Sequence, residues 1–393
     1  MRTRSFDQIF FDVHTSAFWL HLNLKMTFRK ITILLSLLVF AVVTGNAQSR
    51  RVLPRPTPPP AEDETEKVYT EEIKLNVLAF DKAGNFYPEV TANDLVITEN
   101  DILHQPSSVR RIPARVLIVM DTGGEMRSVK SLDVTRRTAA AVVESLKNGD
   151  SMALLEYSDK AEFVSEWTTD KGQMLSAIKR TSFGRRSAFT DAIRKAKDFL
   201  SKETQGNKHL VLITDGTDSS ASARVKNAAL RSLLATDISV HVISYTKMEA
   251  EDIEPRTKGV TNSPPPKAMP DEVATQLPNG VRDAATAPKF KTINVDRTML
   301  RKLKARQADL EAAERTLQSI SEGSNGEFIV PDSTDEMVEK ASLVSKMIDA
   351  SYVVTYTPKI PLRGGKGERN IEVTSKREGL FVQARRKLII DGK

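Results

Sequence analysis

Cysteine is absent from the 393-residue chain. That absence removes disulfide frameworks, thiolate metal sites and cysteine nucleophiles together. Histidine is scarce: of five residues, His14 and His21 lie near the start, and His104, His209 and His241 stand apart without an H-E-x-x-H or similar ligand spacing. They read as structural or surface groups, so any metal would depend on oxygen ligands. No G-x-S-x-G elbow, zinc-protease motif or phosphate loop occurs. The one long apolar run, Ile31 to Val43, is shorter than the roughly 20 residues a membrane-spanning helix needs. A net charge of +7 would permit acidic polymers, but the basic residues are dispersed. The densest basic run, Arg297 to Arg306, falls inside a helical pattern and reads as a solvated face, so no nucleic-acid partner is expected.

What is present starts with an address. From Met26, Arg29 and Lys30 precede the apolar run, and Gly45 and Ala47 sit where a signal peptidase needs small residues. Residues 26–47 are therefore expected to be a signal peptide cleaved after Ala47, with a membrane anchor as the competing reading. Residues 1–25 carry Asp7 and Asp12 without a pattern and read as a mis-called upstream extension. The expectation is an exported, periplasmic or secreted protein with no stable span after cleavage and, lacking cysteine, no lipid anchor. Residues 48–67 gather Pro54, Pro56, Pro58, Pro59 and Pro60, the composition of an extended linker.

Between 68 and 112, Ile73, Leu75, Val77 and Ala79 alternate with polar neighbours, and Leu95 to Thr98 offers a second strand, which predicts a small β module. From 113 to 348 strands alternate with helices, the rhythm of a doubly wound, mostly parallel α/β sheet. Val116 to Met120 and Leu210 to Thr214 are continuous apolar runs suited to central strands. Residues 247–294, with Pro264-Pro265-Pro266, break that rhythm and are expected to be a flexible insertion. The tail, 349–393, returns to short strands, predicted to pair with the first β module as a sandwich into which the α/β domain is inserted.

Two aspartates follow the central strands directly: Asp121 and Asp215. In an open α/β sheet the crevice outside the carboxyl ends of the strands binds ligands, so both are predicted to face one site. The segments VLIVMDTGGE and LVLITDGTD resemble the von Willebrand factor A family, where they carry the metal-ion-dependent adhesion site. The resemblance implies a Rossmann-like fold and a site for Mg²⁺, or Mn²⁺ or Ca²⁺. The family's Asp-x-Ser-x-Ser is kept at Asp121, but Gly123 and Glu125 stand at the serine positions. Ser187, in SAFTDAI, stands at the family's threonine, and Asp215 at its later aspartate.

Three states of that site follow. It has lost its metal and persists as a relic of the fold; Glu125 supplies a carboxylate in place of both hydroxyls; or Arg185 or Arg186 places a guanidinium among the carboxylates. The function implied by the resemblance is protein binding or adhesion without catalysis or a small-molecule substrate. A structural subunit of an envelope assembly is the alternative. Asp121-Thr122-Gly123 also spells the aspartic-protease triplet, but it precedes a helix in an α/β rhythm and has no second copy.

Overall fold

The computed structural model describes residues 71–124, 130–204, 206–257, 260–261, 292–293, 297–362 and 367–390. The expected signal peptide and proline-rich linker, Glu125 and most of the expected 247–294 insertion lie outside the described residues.

The chain enters a β module through β1 (Ile73–Phe80), β2 (Leu95–Glu99), β3 (Ile102–His104) and β4 (Ser108–Arg110). It then builds the α/β domain: β5 (Arg115–Asp121), α1 (Leu132–Ser145), β6 (Ser151–Tyr157), β7 (Ala161–Thr168), α2 (Lys171–Arg180), α3 (Phe189–Ser201), β8 (Lys208–Thr214), α4 (Ala223–Leu234) and β9 (Ser239–Ser244). After β9 come α5 (Thr246–Ile253), the short ladder β10 (Val260–Thr261) with β11 (Thr292–Ile293), α6 (Arg297–Gly323), β12 (Phe328–Ile329) and α7 (Thr334–Asp349). Four closing strands follow: β13 (Ser351–Tyr356), β14 (Gly367–Ser375), β15 (Phe381–Ala384) and β16 (Lys387–Ile390).

The central sheet has the order β12-β9-β8-β5-β6-β7, parallel throughout except for the antiparallel edge strand β7. Period-two alternation assigns its side chains to two cores. Val116, Ile118 and Met120 of β5 meet Ala139, Val142 and Val143 of α1 and Val344 and Ile348 of α7. Leu117 and Val119 of the same strand meet Phe189 and Ile193 of α3, Leu233 of α4 and Leu317 of α6. Such two-sided burial is why the central strands read as unbroken apolar runs.

The β module is a sandwich of two four-stranded sheets, β15-β1-β13-β4 and β16-β14-β2-β3, and each mixes strands from before and after the α/β domain. Ile73 pairs with Tyr356 and Leu95 with Ser375, so neither half forms its sheet alone. A seam of buried polar bonds joins sandwich to α/β domain: Asn76 Nδ2 donates to Ser239 Oγ at 3.0 Å, and Asn325 Nδ2 to the carbonyl of Asn76 at 3.0 Å. Arg385 donates to the carbonyls of Thr236 at 2.6 Å and Ile238 at 3.3 Å. Two elements differ from the sequence reading. Helix α2 was hidden because its buried apolar set is only Met174, Ala177 and Ile178. Helix α5 occupies 246–253, where a loose excursion was expected; Met248 and Ile253 anchor it, the latter against Leu303 and Leu310 of α6.

All three described histidines are buried. In the sandwich, His104 Nδ1 donates to the carbonyl of Ile102 at 2.8 Å and Nε2 accepts from Lys359 N–H at 3.0 Å. Near the seam, Glu327 N–H donates to His241 Nδ1 at 3.1 Å, so His241 Nε2 carries the proton and donates to His209 Nδ1 at 3.0 Å. His209 Nε2 in turn donates to Asn207 Oδ1 at 2.7 Å.

Candidate functional site

The sheet reverses its winding between β5 and β8: the chain leaves β5 for β6 on one side and later returns to β8 on the other. That is the topological switch point, where the loops diverge and leave a crevice. Register pairs Met120 with Ile213, so Asp121 at the end of β5 and Asp215 just past β8 emerge on neighbouring strands. Both are buried. Beneath them, Tyr157 Oη and Thr214 Oγ1 share a 2.5 Å hydrogen bond.

Isolated carboxylates in such a place would be costly, and each is met by a cation from another element. Lys130 Nζ lies 2.5 Å from Asp121 Oδ1, with only 4% of the lysine side chain exposed. Its position is fixed by the adjoining start of α1, where Ser131 Oγ caps the helix by accepting from Val134 N–H at 3.1 Å. The ammonium also sits 5.0 Å from the centre of the Tyr245 ring. Arg306, from α6, donates through Nη2 to Asp215 Oδ2 and to Glu249 Oε1 of α5, each at 2.9 Å, and through Nη1 to Thr217 Oγ1 at 2.7 Å. Thr217 donates its N–H and hydroxyl to Asp215 Oδ1 at 2.8 and 2.7 Å.

Burial, offset in part by Lys130, pushes the Asp121 carboxyl up to about 6, and the neighbouring Asp215 adds to the rise. Asp215 is held below the usual carboxylate range: burial opposes its charge, but Lys130, Arg306 and the Thr217 donors outweigh it. Glu249 is pushed up to about 7 by burial and by Asp215, against the pull of Arg306.

Ser187 is buried at the site, its hydroxyl donating to the carbonyl of Thr217 at 2.8 Å. On the loop after β8, Asp218 Oδ2 accepts from Thr190 N–H at 2.7 Å and holds the start of α3. Thr122 donates its hydroxyl to the carbonyl of Tyr157 at 3.2 Å, and Gly123 N–H donates to Asp121 Oδ1 at 3.1 Å. A side chain cannot be added at 123, because a Cβ there would lie 1.9 Å from the carbonyl oxygen of Arg186.

Arg185 and Arg186 are exposed on the loop before Ser187, so the guanidinium among the carboxylates is not theirs. Lys130 and Arg306 take that place instead. The sequence reading of Arg297 to Arg306 as a solvated face holds no longer for Arg306, which lies on the inward stripe Leu303, Leu310, Ala313, Leu317 and Ile320 at the three-and-four spacing of a helix face. That spacing was the available signal. Lys130 carried none.

These donors do not fit Mg²⁺, which needs near-octahedral oxygen ligands. Gly123 offers no side-chain oxygen where the family has a serine, and Asp121 faces an ammonium. Asp121 Oδ2 has no hydrogen-bond partner among the described residues, yet a single free oxygen does not make a coordination shell. Among the described residues no group of three or more acidic, histidine or cysteine side chains is placed to hold a metal ion.

Fold and site together define an open α/β domain with a carboxylate pair at its switch point. Residues 116–217 match the von Willebrand factor type A domain family. Among solved structures, a von Willebrand factor type A protein from Catenulispora acidiphila is 10% identical, covering 82% of this chain and 73% of that one at a TM-score of 0.40. An aerotolerance-related membrane protein from Bacteroides fragilis is 16% identical, over 60% of this chain and 98% of that one, at a TM-score of 0.38. Proximal thread matrix protein 1 of the mussel byssus, with a zinc-occupied MIDAS motif, is 12% identical over 61% of this chain and 48% of that one, at a TM-score of 0.37. No curated protein sequence matches the chain. Among the described residues no helix is long and apolar enough to cross a membrane.

Proposed function

We propose that this chain is an exported, non-enzymatic binding protein whose A domain engages a protein partner through the loops at the carboxyl end of its sheet. Domains of this family are generally interaction modules. The observation that carries the reading is the contrast between the inside and the rim of that end. Inside, Asp121, Asp215 and Glu249 are each engaged by Lys130 or Arg306. At the rim, Phe183 is 45% exposed beside the exposed Arg185 and Arg186. An aromatic side chain next to guanidinium groups is a composition enriched in protein interfaces, and it favours a partner surface bearing carboxylates. Catalysis by Asp121 in the manner of an aspartic protease is opposed by its ion pair with Lys130, which leaves no carboxyl pair sharing a proton. Export rests on the sequence of residues 26–47.

A photocrosslinking side chain at position 183 tests the reading in envelope fractions of the native host. One discrete adduct is expected from position 183 and none from position 343, on the exposed side of α7. Adding Arg185→Glu and Arg186→Glu is expected to abolish that adduct. An adduct that survives the charge reversal, or forms equally from both positions, would move the contact surface elsewhere.

A further inference from the structure

We infer that Lys130 and Arg306 are built-in counter-ions standing in for the divalent cation of this fold, so that the carboxyl end of the sheet is completed without a metal. Two unit cations on separate elements supply together the charge that one divalent ion would bring. They arrive from opposite directions in the chain: Lys130 from just before α1, and Arg306 from the third turn of α6. Each is committed by contact to its own strand-end carboxylate, at 2.5 Å for Lys130 and Asp121 and 2.9 Å for Arg306 and Asp215. Lys130 is also the largest attractive charge acting on both aspartates.

The backbone enforces the exchange. Position 123 cannot regain a hydroxyl while the carbonyl of Arg186 lies 1.9 Å from where its Cβ would be. A tethered ammonium differs physically from an ion. It cannot be removed by a chelator, and it offers no open coordination position through which a partner's carboxylate could bridge. The inference concerns the ion chemistry of the site and stands apart from whether a protein partner binds there.

Thermal melting and calorimetric titration of the folded protein test it, with Mg²⁺, Mn²⁺ and EDTA as the probes. The wild type should show no saturable heat with either metal and the same melting midpoint in EDTA as in Mn²⁺. Lys130→Met should lower the midpoint by roughly 5–10 °C, because it strands a buried carboxylate. Lys130→Met combined with Asp121→Asn should recover most of that loss, since the stranded charge is then gone. Should Lys130→Met alone fail to fold, recovery of folded protein by the double substitution carries the same meaning. Saturable Mg²⁺ or Mn²⁺ binding by the wild type, a midpoint lowered by EDTA, or additive losses from the two substitutions would each overturn the inference.

Discussion

At the scale of single residues, Arg306 has the most demanding position. One guanidinium serves two carboxylates and a hydroxyl, with only 19% of its side chain exposed. Arg306→Met keeps the bulk and removes the charge, leaving Glu249 without its ion pair and Asp215 with only Lys130 and the Thr217 donors. The expected cost is about 3–5 kcal/mol, read as a lower urea midpoint with an unchanged slope. Lysine at 306 should recover only part, since an ammonium cannot span the same fork of acceptors. Asp121 and Asp215 were legible in the sequence because an unbroken apolar strand leads up to each. Arg306 was signalled only by its place on the apolar stripe of α6, because its carboxylate partners lie 91 and 57 residues away, and Lys130, though close to Asp121 in sequence, carried no pattern of its own.

At the scale of elements, the relay from Glu327 N–H through His241 and His209 to Asn207 has every ring proton assigned, and both rings are neutral. Burial pushes His241 down to about 3, and burial together with His241 pushes His209 well down. A histidine whose folded value lies below its unfolded value of about 6.5 stabilises the fold above that pH, and the stability is lost as pH falls from there toward the folded value. Each such histidine contributes a slope of up to about 1.4 kcal/mol per pH unit in that window. Urea titrations between pH 7.5 and 4.5 should therefore show stability falling with acid, and His209→Gln should flatten the fall. An equal slope in the variant would exclude the pair as its cause. The two helices the sequence hid were hidden for different physical reasons. Helix α2 offers a short apolar stripe, and α5 buries polar side chains, Thr246 and Glu249, whose partners lie on α6.

At the scale of the whole molecule, the inserted domain and the sandwich share buried bonds from Asn76, Asn325 and Arg385. Such a seam predicts a single calorimetric transition for residues 71–390, whereas two independent domains would melt in two. Arg385→Ala leaves two carbonyls short of their donor and is expected to separate the transitions or lower the shared one by about 1–3 kcal/mol. The alternation of strands and helices made the sheet readable from sequence, and the period-two segments at both ends made the sandwich readable. Which strand lies beside which was not, because pairing partners such as Ile73 and Tyr356 are set by tertiary contact rather than by any local pattern.

The pairing of β4 with β13, Arg110 opposite Val353, has a mechanical consequence. The polypeptide goes into the A domain and comes out of it through two strands that are already hydrogen-bonded to each other. Tension applied between positions 71 and 390 is therefore borne by the sandwich ladders, and the A domain hangs outside the loaded path until β4 and β13 come apart. A pulling experiment would see the sandwich yield first, while the face bearing Phe183, Arg185 and Arg186 keeps its shape under load.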